Sequence, residues 1–235
     1  MKLLILNKKT LLFLMIILII LLIVIPLIVL NWTKTEDVFK EDIFYQGIKD
    51  EKVVSFACNI DWGNESIEDM LNIFKDRNIN ITFFPTGKWA EKNPKLLKNI
   101  YDDGHEIGNH GYSHVDYDKL SLSENIEQIK KADSIIKNII GEKPIYFAPP
   151  SGAFSDSTIK AADDLDYKTI MWSVDTIDWR EDSTEDVIVE RVLSNIHNSA
   201  IVLMHPTEET NKALPKIIES LLKQGYNIGR ISDIL

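Results

Sequence analysis

His110 and His114 stand four residues apart in the run GNHGYSH, from Gly108 to His114. Two imidazoles at that separation can face one cation, from one turn of helix or from a tight loop. Gly104, Gly108 and Gly111 disfavour a helix interior. The run therefore reads as a loop at a strand end, where function usually sits. Taken alone, the pair could equally be two histidines in a solvated loop.

Other residues of the same kind shift that balance. Asp61, Pro150, Asp175, Asp178 and His205 each follow the end of a short apolar run. A two-imidazole site with one carboxylate suits a borderline-hard metal and leaves positions open for water and substrate. Asp61, His110 and His114 supply that set. Each residue also has a plain reading: Asp61 could cap the next helix, and His205 before Pro206 could be a turn residue.

The elements that must position these groups follow from periodicity. Apolar, β-branched runs at 52–58, 79–84, 105–107, 144–148, 168–174 and 200–204 read as strands, with a seventh at 226–231. Between them, helical spacing covers 66–77, 88–101 (with a break or new first turn at Pro94), 121–140, 155–165, 183–196 and 214–224. Ser121 and Glu124 have capping-box spacing, and Gly141 is a stop signal. Alternating strands and helices imply a parallel sheet with right-handed crossovers, either a closed or nearly closed barrel or an open doubly wound sheet. In both, the strand C-termini share one rim, which gathers the residues named above.

The N-terminus is of another kind. Leu11 to Leu30 is apolar throughout except for Pro26, long enough to span about 30 Å of hydrocarbon. Lys2, Lys8 and Lys9 precede it and Glu36, Asp37, Glu41 and Asp42 follow it, which places the N-terminus in the cytoplasm and the bulk outside. A cleavable signal peptide would have a shorter apolar region and small residues at the cut; Val29-Leu30-Asn31-Trp32 offers none, favouring an uncleaved anchor. The expected organisation is a cytoplasmic 1–9, an anchor at 10–30, a polar tether at 31–50 and one domain at 51–235. That domain carries 20 Lys and Arg against 31 Asp and Glu, a net charge of −11, which argues against a nucleic-acid partner. Cys58 is the sole cysteine, so no intramolecular disulfide can form.

Five segments in order resemble the polysaccharide deacetylases of carbohydrate esterase family four. They are Ala57 to Gly63 (ACNIDWG, where the family reads Thr-Phe-Asp-Asp-Gly), His110 to His114, Ala148 to Gly152 (APPSG, where the family reads Arg-x-Pro-x-Gly), Asp175 to Trp179, and Leu203 to His205. The resemblance covers the whole 51–235 domain and is nearest to membrane-anchored, sporulation-type members. It implies a distorted (β/α) barrel of about seven strands and removal of N-acetyl groups from a glycan, usually with zinc. It implies Asp61, His110 and His114 as metal ligands and His205 as general acid. Asp175 would orient His205, with Asp178 as second choice. Pro150, Trp62, Trp179 and Tyr112 would contact the sugar. From location, peptidoglycan is the leading substrate, and a monomer is expected.

Two departures stand out. Asn59 takes the place of the family's base aspartate, and Ala148 that of the arginine paired with it. A carboxamide cannot accept a proton near neutral pH. The two losses fit each other, since an arginine left facing Asn59 would be a partly buried, uncompensated charge. They leave open a working enzyme, an inactive binder of metal and glycan, or a hydrolase of another amide.

Overall fold

The computed structural model describes residues 8–33 and 43–235. The expectations for 1–7 and for 34–42 lie outside the described residues. Lys8–Thr33 is one helix, α1, of 26 residues with Pro26 inside it.

The domain is built on the strand β2, Val53–Ile60, which is buried along nearly all its length. It pairs in parallel with β3 (Thr82–Pro85), β8 (Ile201–Met204) and β9 (Asn227–Gly229). β3 pairs with β4 (Glu106–Ile107), and β8 with β7 (Val174–Asp175). A second set joins β1 (Ile43–Phe44), β6 (Lys168–Ile170) and β5 (Tyr146–Phe147), again in parallel. A single bridge from Asn109 to Phe147 links the β4 side to β5, and β6 runs on in sequence into β7. The circuit therefore returns to β2, which is the distorted barrel expected, rather than an open sheet.

The period of two along each strand decides what enters the barrel. Val54, Phe56, Cys58 and Ile60 join the large outer core with the helices, while Ala57 joins an inner cluster with Phe84, Tyr146, Ala148, Ile170 and Ile201. Ile231 and Ile234, on the short helix α9 (Ile231–Ile234), belong to that inner cluster. Ile231 N–H donates to Thr82 Oγ1 at 2.8 Å, and that hydroxyl donates to Glu106 at 2.6 Å.

Several helices start at side-chain caps. Thr86 caps α3 (Gly87–Lys92), and Pro94 opens a separate helix, α4 (Pro94–Asp102). The capping box Ser121–Glu124 opens α5 (Leu122–Ile140), which Gly141 stops at φ 92°. The remaining helices are α2 (Asn64–Lys75), α6 (Asp156–Asp163), α7 (Glu185–Asn195) and α8 (Glu208–Lys223). α8 begins earlier than Leu214 because Thr207 caps it, which leaves Pro215 inside the helix.

Two further expectations are corrected. Residues 43–50 are no tether: Ile43 and Phe44 form β1, and Gly47 N–H donates to Ser199 O at 2.7 Å. The 168–174 run is not one strand. Met171 N–H turns to Phe44 O and Ser173 N–H to Ile201 O, which splits it into β6 and β7.

His105 packs between Phe74 and Phe83, at ring centroids of 6.0 and 5.0 Å, and its Nδ1 accepts the Ile81 N–H at 3.1 Å. Nδ1 must stay unprotonated to accept, and burial holds its pKa down to about 4 against an ordinary 6.5. Between those values the unfolded chain binds a proton that the folded chain refuses, so stability falls as pH drops from 6.5 towards 4. Melting temperature measured across that window should decline less steeply for His105→Gln than for the native chain; equal slopes would refute the assignment.

Candidate active site

A cavity of about 430 Å³ opens at the C-terminal rim of the barrel, lined by Asn59, Trp62, His114, Ser151, Trp172, Asp175, Trp179, Leu203 and His205. Its floor comes from strand parity. Ala57 and Ile201 point inward, and so do Asn59 and Leu203 two residues on. His205 continues the inward series just past the end of β8.

His205 is held by a buried carboxylate, and it is Asp178, not Asp175. Nδ1 of His205 meets Asp178 Oδ1 at 2.7 Å, and the His205 backbone N–H donates to Oδ2 at 2.6 Å. Thr210 Oγ1–H donates to the same Oδ2 at 2.6 Å. The Asp178 side chain has no exposed surface, so these donors replace its water. With Nδ1 engaged, the Nε2 edge is the one left for a ligand. The His205 ring stacks on Trp62, at 6.0 Å between centroids and 7° between planes.

Asp175 has a different task. Its Oδ1 accepts the Ile177 N–H at 2.7 Å, while Ser183 Oγ–H donates to Ile177 O at 2.6 Å. Ile177 has φ 52°, a left-handed conformation that a β-branched side chain resists. These two bonds hold the bend that carries the next residue, Asp178, to His205. Asp175 therefore positions the dyad indirectly.

The GNHGYSH run is a loop, pinned on several sides. His110 N–H donates to Pro85 O at 3.1 Å, and the Gly87 and Lys88 N–H groups donate to Gly111 O and Tyr112 O. Gly111 has φ 70°, and a Cβ there would run into the Tyr117 hydroxyl, so both backbone angle and space require glycine. His110 is buried, and its Nδ1 meets Ala148 O at 2.7 Å. A carbonyl only accepts, so Nδ1 carries the proton and Nε2 keeps its lone pair. Burial, with His114 adding to it, lowers its pKa to about 3. The two imidazoles lie 5.4 Å apart by centroid, at 67°.

The expected tripod does not assemble. Among the described residues, no three His, Cys, Asp or Glu side chains converge to hold a metal ion. Asp61 Oδ1 instead accepts from Thr86 Oγ1 at 2.7 Å, and Asp61 lines a neighbouring groove with Asn64, Lys88 and Trp89. His110 and His114 thus stand together as a two-imidazole pair, with Asp61 on the adjoining groove.

The other expected contacts divide. Trp62 and Trp179 line the cavity with 46% and 59% of their surface exposed, as sugar-stacking rings would. Tyr112 does not: its hydroxyl donates to Glu91 at 3.2 Å, and the Lys131 ammonium sits 3.5 Å from its ring centroid. Pro150 is buried and opens the turn Pro150–Gly152, which sets Ser151 on the cavity wall. Trp172, Ser151 and Leu203 are lining residues that the sequence reading missed. Trp172 enters the cavity because the strand breaks on either side of it, and a Cβ on Gly152 would lie 2.7 Å from its ring. The signal lay in parity: Ile170 and Trp172 are alternate residues of one apolar run.

Ala148 is buried in the inner cluster. Asn59 is 5% exposed, and among the described residues its Oδ1 has no hydrogen-bond partner.

The family description "Polysaccharide deacetylase" matches residues 46–170. The uncharacterized protein YlxY of Bacillus subtilis is 43% identical over 191 residues, which cover 81% of this chain and 60% of YlxY. The chain thus corresponds to less than two thirds of that relative. Peptidoglycan-N-acetylmuramic acid deacetylase PdaA of Bacillus subtilis is 30% identical over 200 residues, 83% of this chain and 76% of PdaA. Among solved structures, wild-type BA3943 of Bacillus anthracis, described as a CE4 family pseudoenzyme, superposes with a TM-score of 0.79 at 42% identity. That match covers 82% of this chain and 68% of BA3943. A BA3943 mutant, described as having restored enzymatic activity, superposes equally well at 41% identity.

Replacing Asp178 with Ala leaves a buried histidine N–H, a backbone N–H and a hydroxyl without their acceptor. Urea unfolding should show a loss of about 3 kcal/mol. A loss under about 1 kcal/mol, the value of one ordinary hydrogen bond, would mean that the buried cluster is not formed.

Proposed function

Since this chain belongs to the polysaccharide deacetylase family, we propose that it binds N-acetylated peptidoglycan in the rim cavity and hydrolyses the acetamide at a strongly reduced rate. The reaction of the family is carbon–nitrogen hydrolysis: water adds to the acetyl carbonyl, the C–N bond breaks, and acetate and an amine leave. It needs a base for the water and an acid for the departing nitrogen.

One observation carries the reading: an intact acid half stands beside a missing base half. His205 is oriented by Asp178, with its Nε2 edge towards the cavity, which suits proton donation to the leaving nitrogen. Trp62 and Trp179 offer faces for a pyranose ring. Asn59 stands at the base position, and no arginine accompanies it because Ala148 fills that place. A positioned base is worth about 10²–10⁴ in rate, or roughly 3–5 kcal/mol of barrier. The pseudoenzyme description of BA3943, and the restored activity of its mutant, support a site of this kind.

Acetate release from N-acetylated peptidoglycan fragments tests the reading. The native chain is expected to release little. Asn59→Asp combined with Ala148→Arg is expected to gain about 10²-fold or more. A native chain already working at a rate the double variant cannot improve would sink the proposal.

Zinc is the metal that the His110–His114 pair suits. With Asp61 engaged by Thr86, zinc titration calorimetry should give the same affinity for Asp61→Asn as for the native chain, and none for His114→Ala. A large loss on Asp61→Asn would restore the carboxylate to the ligand set.

The helix α1 serves as the membrane anchor. Its 26 residues would reach about 39 Å at 1.5 Å per residue, enough for the hydrocarbon core with some tilt. Lys8 and Lys9 at its start favour a cytoplasmic N-terminus and an external domain. The full chain should sediment with membranes, and protease added outside should digest the domain. A soluble form starting after residue 30 would show cleavage instead.

A further inference from the structure

We propose that Tyr167 is a positioning residue for the His110–His114 pair, acting on it through Asn109. It rests on the reading of that pair as part of the rim site. Tyr167 stands behind the cavity wall, directly before β6, and reaches the histidine loop through its hydroxyl alone.

Asn109 is fully buried, and its side chain has one arrangement open to it. Oδ1 accepts the Gly111 N–H at 2.7 Å, and Nδ2 donates to Ile129 O on α5 and to the Tyr167 hydroxyl, each at 3.1 Å. A backbone N–H only donates and a carbonyl only accepts, so the amide cannot be turned over. The Tyr167 hydroxyl has one proton and gives it to Asp133 Oδ1, also on α5, at 2.8 Å. Its lone pair is what receives Asn109. Burial holds the Tyr167 phenol well above its ordinary range, so the proton stays in place. The bonds therefore run one way, from Gly111 to Asn109 to Tyr167 to Asp133, each polarising the next.

The row ends at the peptide that joins His110 to Gly111. That peptide carries the bound N–H, and Gly111 turns the chain at φ 70°. Rotating it would swing His110 and His114 relative to one another and change the 5.4 Å between their rings. The backbone of Asn109 is already fixed to β5, by Tyr146 O at 2.9 Å and the Ala148 N–H at 3.0 Å. Its side chain is the part that Tyr167 holds. The Tyr167 ring packs on Phe147 at 6.5 Å and 71°. Phenylalanine would keep that packing and remove the hydroxyl, leaving one Asn109 N–H buried without its acceptor.

The test reads the full chain, native and Tyr167→Phe, in two ways. Amide hydrogen exchange followed by NMR compares the Gly111 N–H with the amides of β2, which open with the domain as a whole. Titration calorimetry gives the affinity for zinc. In Tyr167→Phe the Gly111 amide is expected to exchange about tenfold faster relative to β2, and zinc to bind about tenfold more weakly. In an Asn109→Ala background the same replacement is expected to change neither. A tyrosine that only packs would lower the melting temperature and leave both readouts at their native values, which overturns the proposal. Additive effects of the two replacements overturn the route through Asn109. A native chain that binds no zinc overturns the metal reading of the pair, and the Gly111 exchange then decides the positioning by itself. Should Tyr167→Phe fail to fold, Asp133→Ala, at the half-buried end of the row, decides. Both readouts are expected to move in the same direction, and two unchanged readouts refute the proposal.

Discussion

The structure depends on β2 being satisfied on every side at once. Its backbone is paired to three parallel neighbours, and its two faces are committed to different cores. The outward face carries Phe56, Cys58 and Ile60 into the helices; the inward face carries Ala57 and Asn59 into the barrel. A slip of one residue would exchange these sets. It would put Phe56 where the small Ala57 allows the barrel to close, and take Asn59 out of the cavity. Register along one strand thus fixes both the packing of the domain and the floor of its site.

The polar cluster above that floor is built by gathering donors on one buried carboxylate. Asp178 has given up water entirely and is repaid by His205 and Thr210. His110 is fixed through Ala148 O, on the strand side of the position where the family carries its arginine. Among the described residues, Asn59 Oδ1 and Thr176 Oγ1 are buried side-chain atoms without a hydrogen-bond partner.

Much of this was legible in the sequence because it is periodic. The alternation of apolar runs marked six of the seven expected strands and a parallel α/β fold, the family resemblance chose the barrel over the open sheet, and Ser121 with Glu124 and Gly141 gave the longest helix of the domain its ends. The rim residues were legible because function follows strand ends. What escaped depended on single torsions and single partners. Asp175 and Asp178 look alike in DTIDW; the choice between them turns on Ile177 adopting a left-handed conformation that its own side chain opposes. The bond that Asp61 accepts from Thr86, 25 residues on, has no signal in the sequence. Trp172 lay hidden in a run that reads as one continuous strand. β1 was masked by acidic neighbours, being two residues long and held by β6 across the chain.

The contact between β2 and β9 has a consequence in time as well as in space. Val53 pairs with Asn227, and the barrel floor is closed by Ile231 and Ile234. The first long strand of the barrel is therefore completed by residues from the far end of the domain. Folding of such high contact order waits for loop closure across nearly the whole domain.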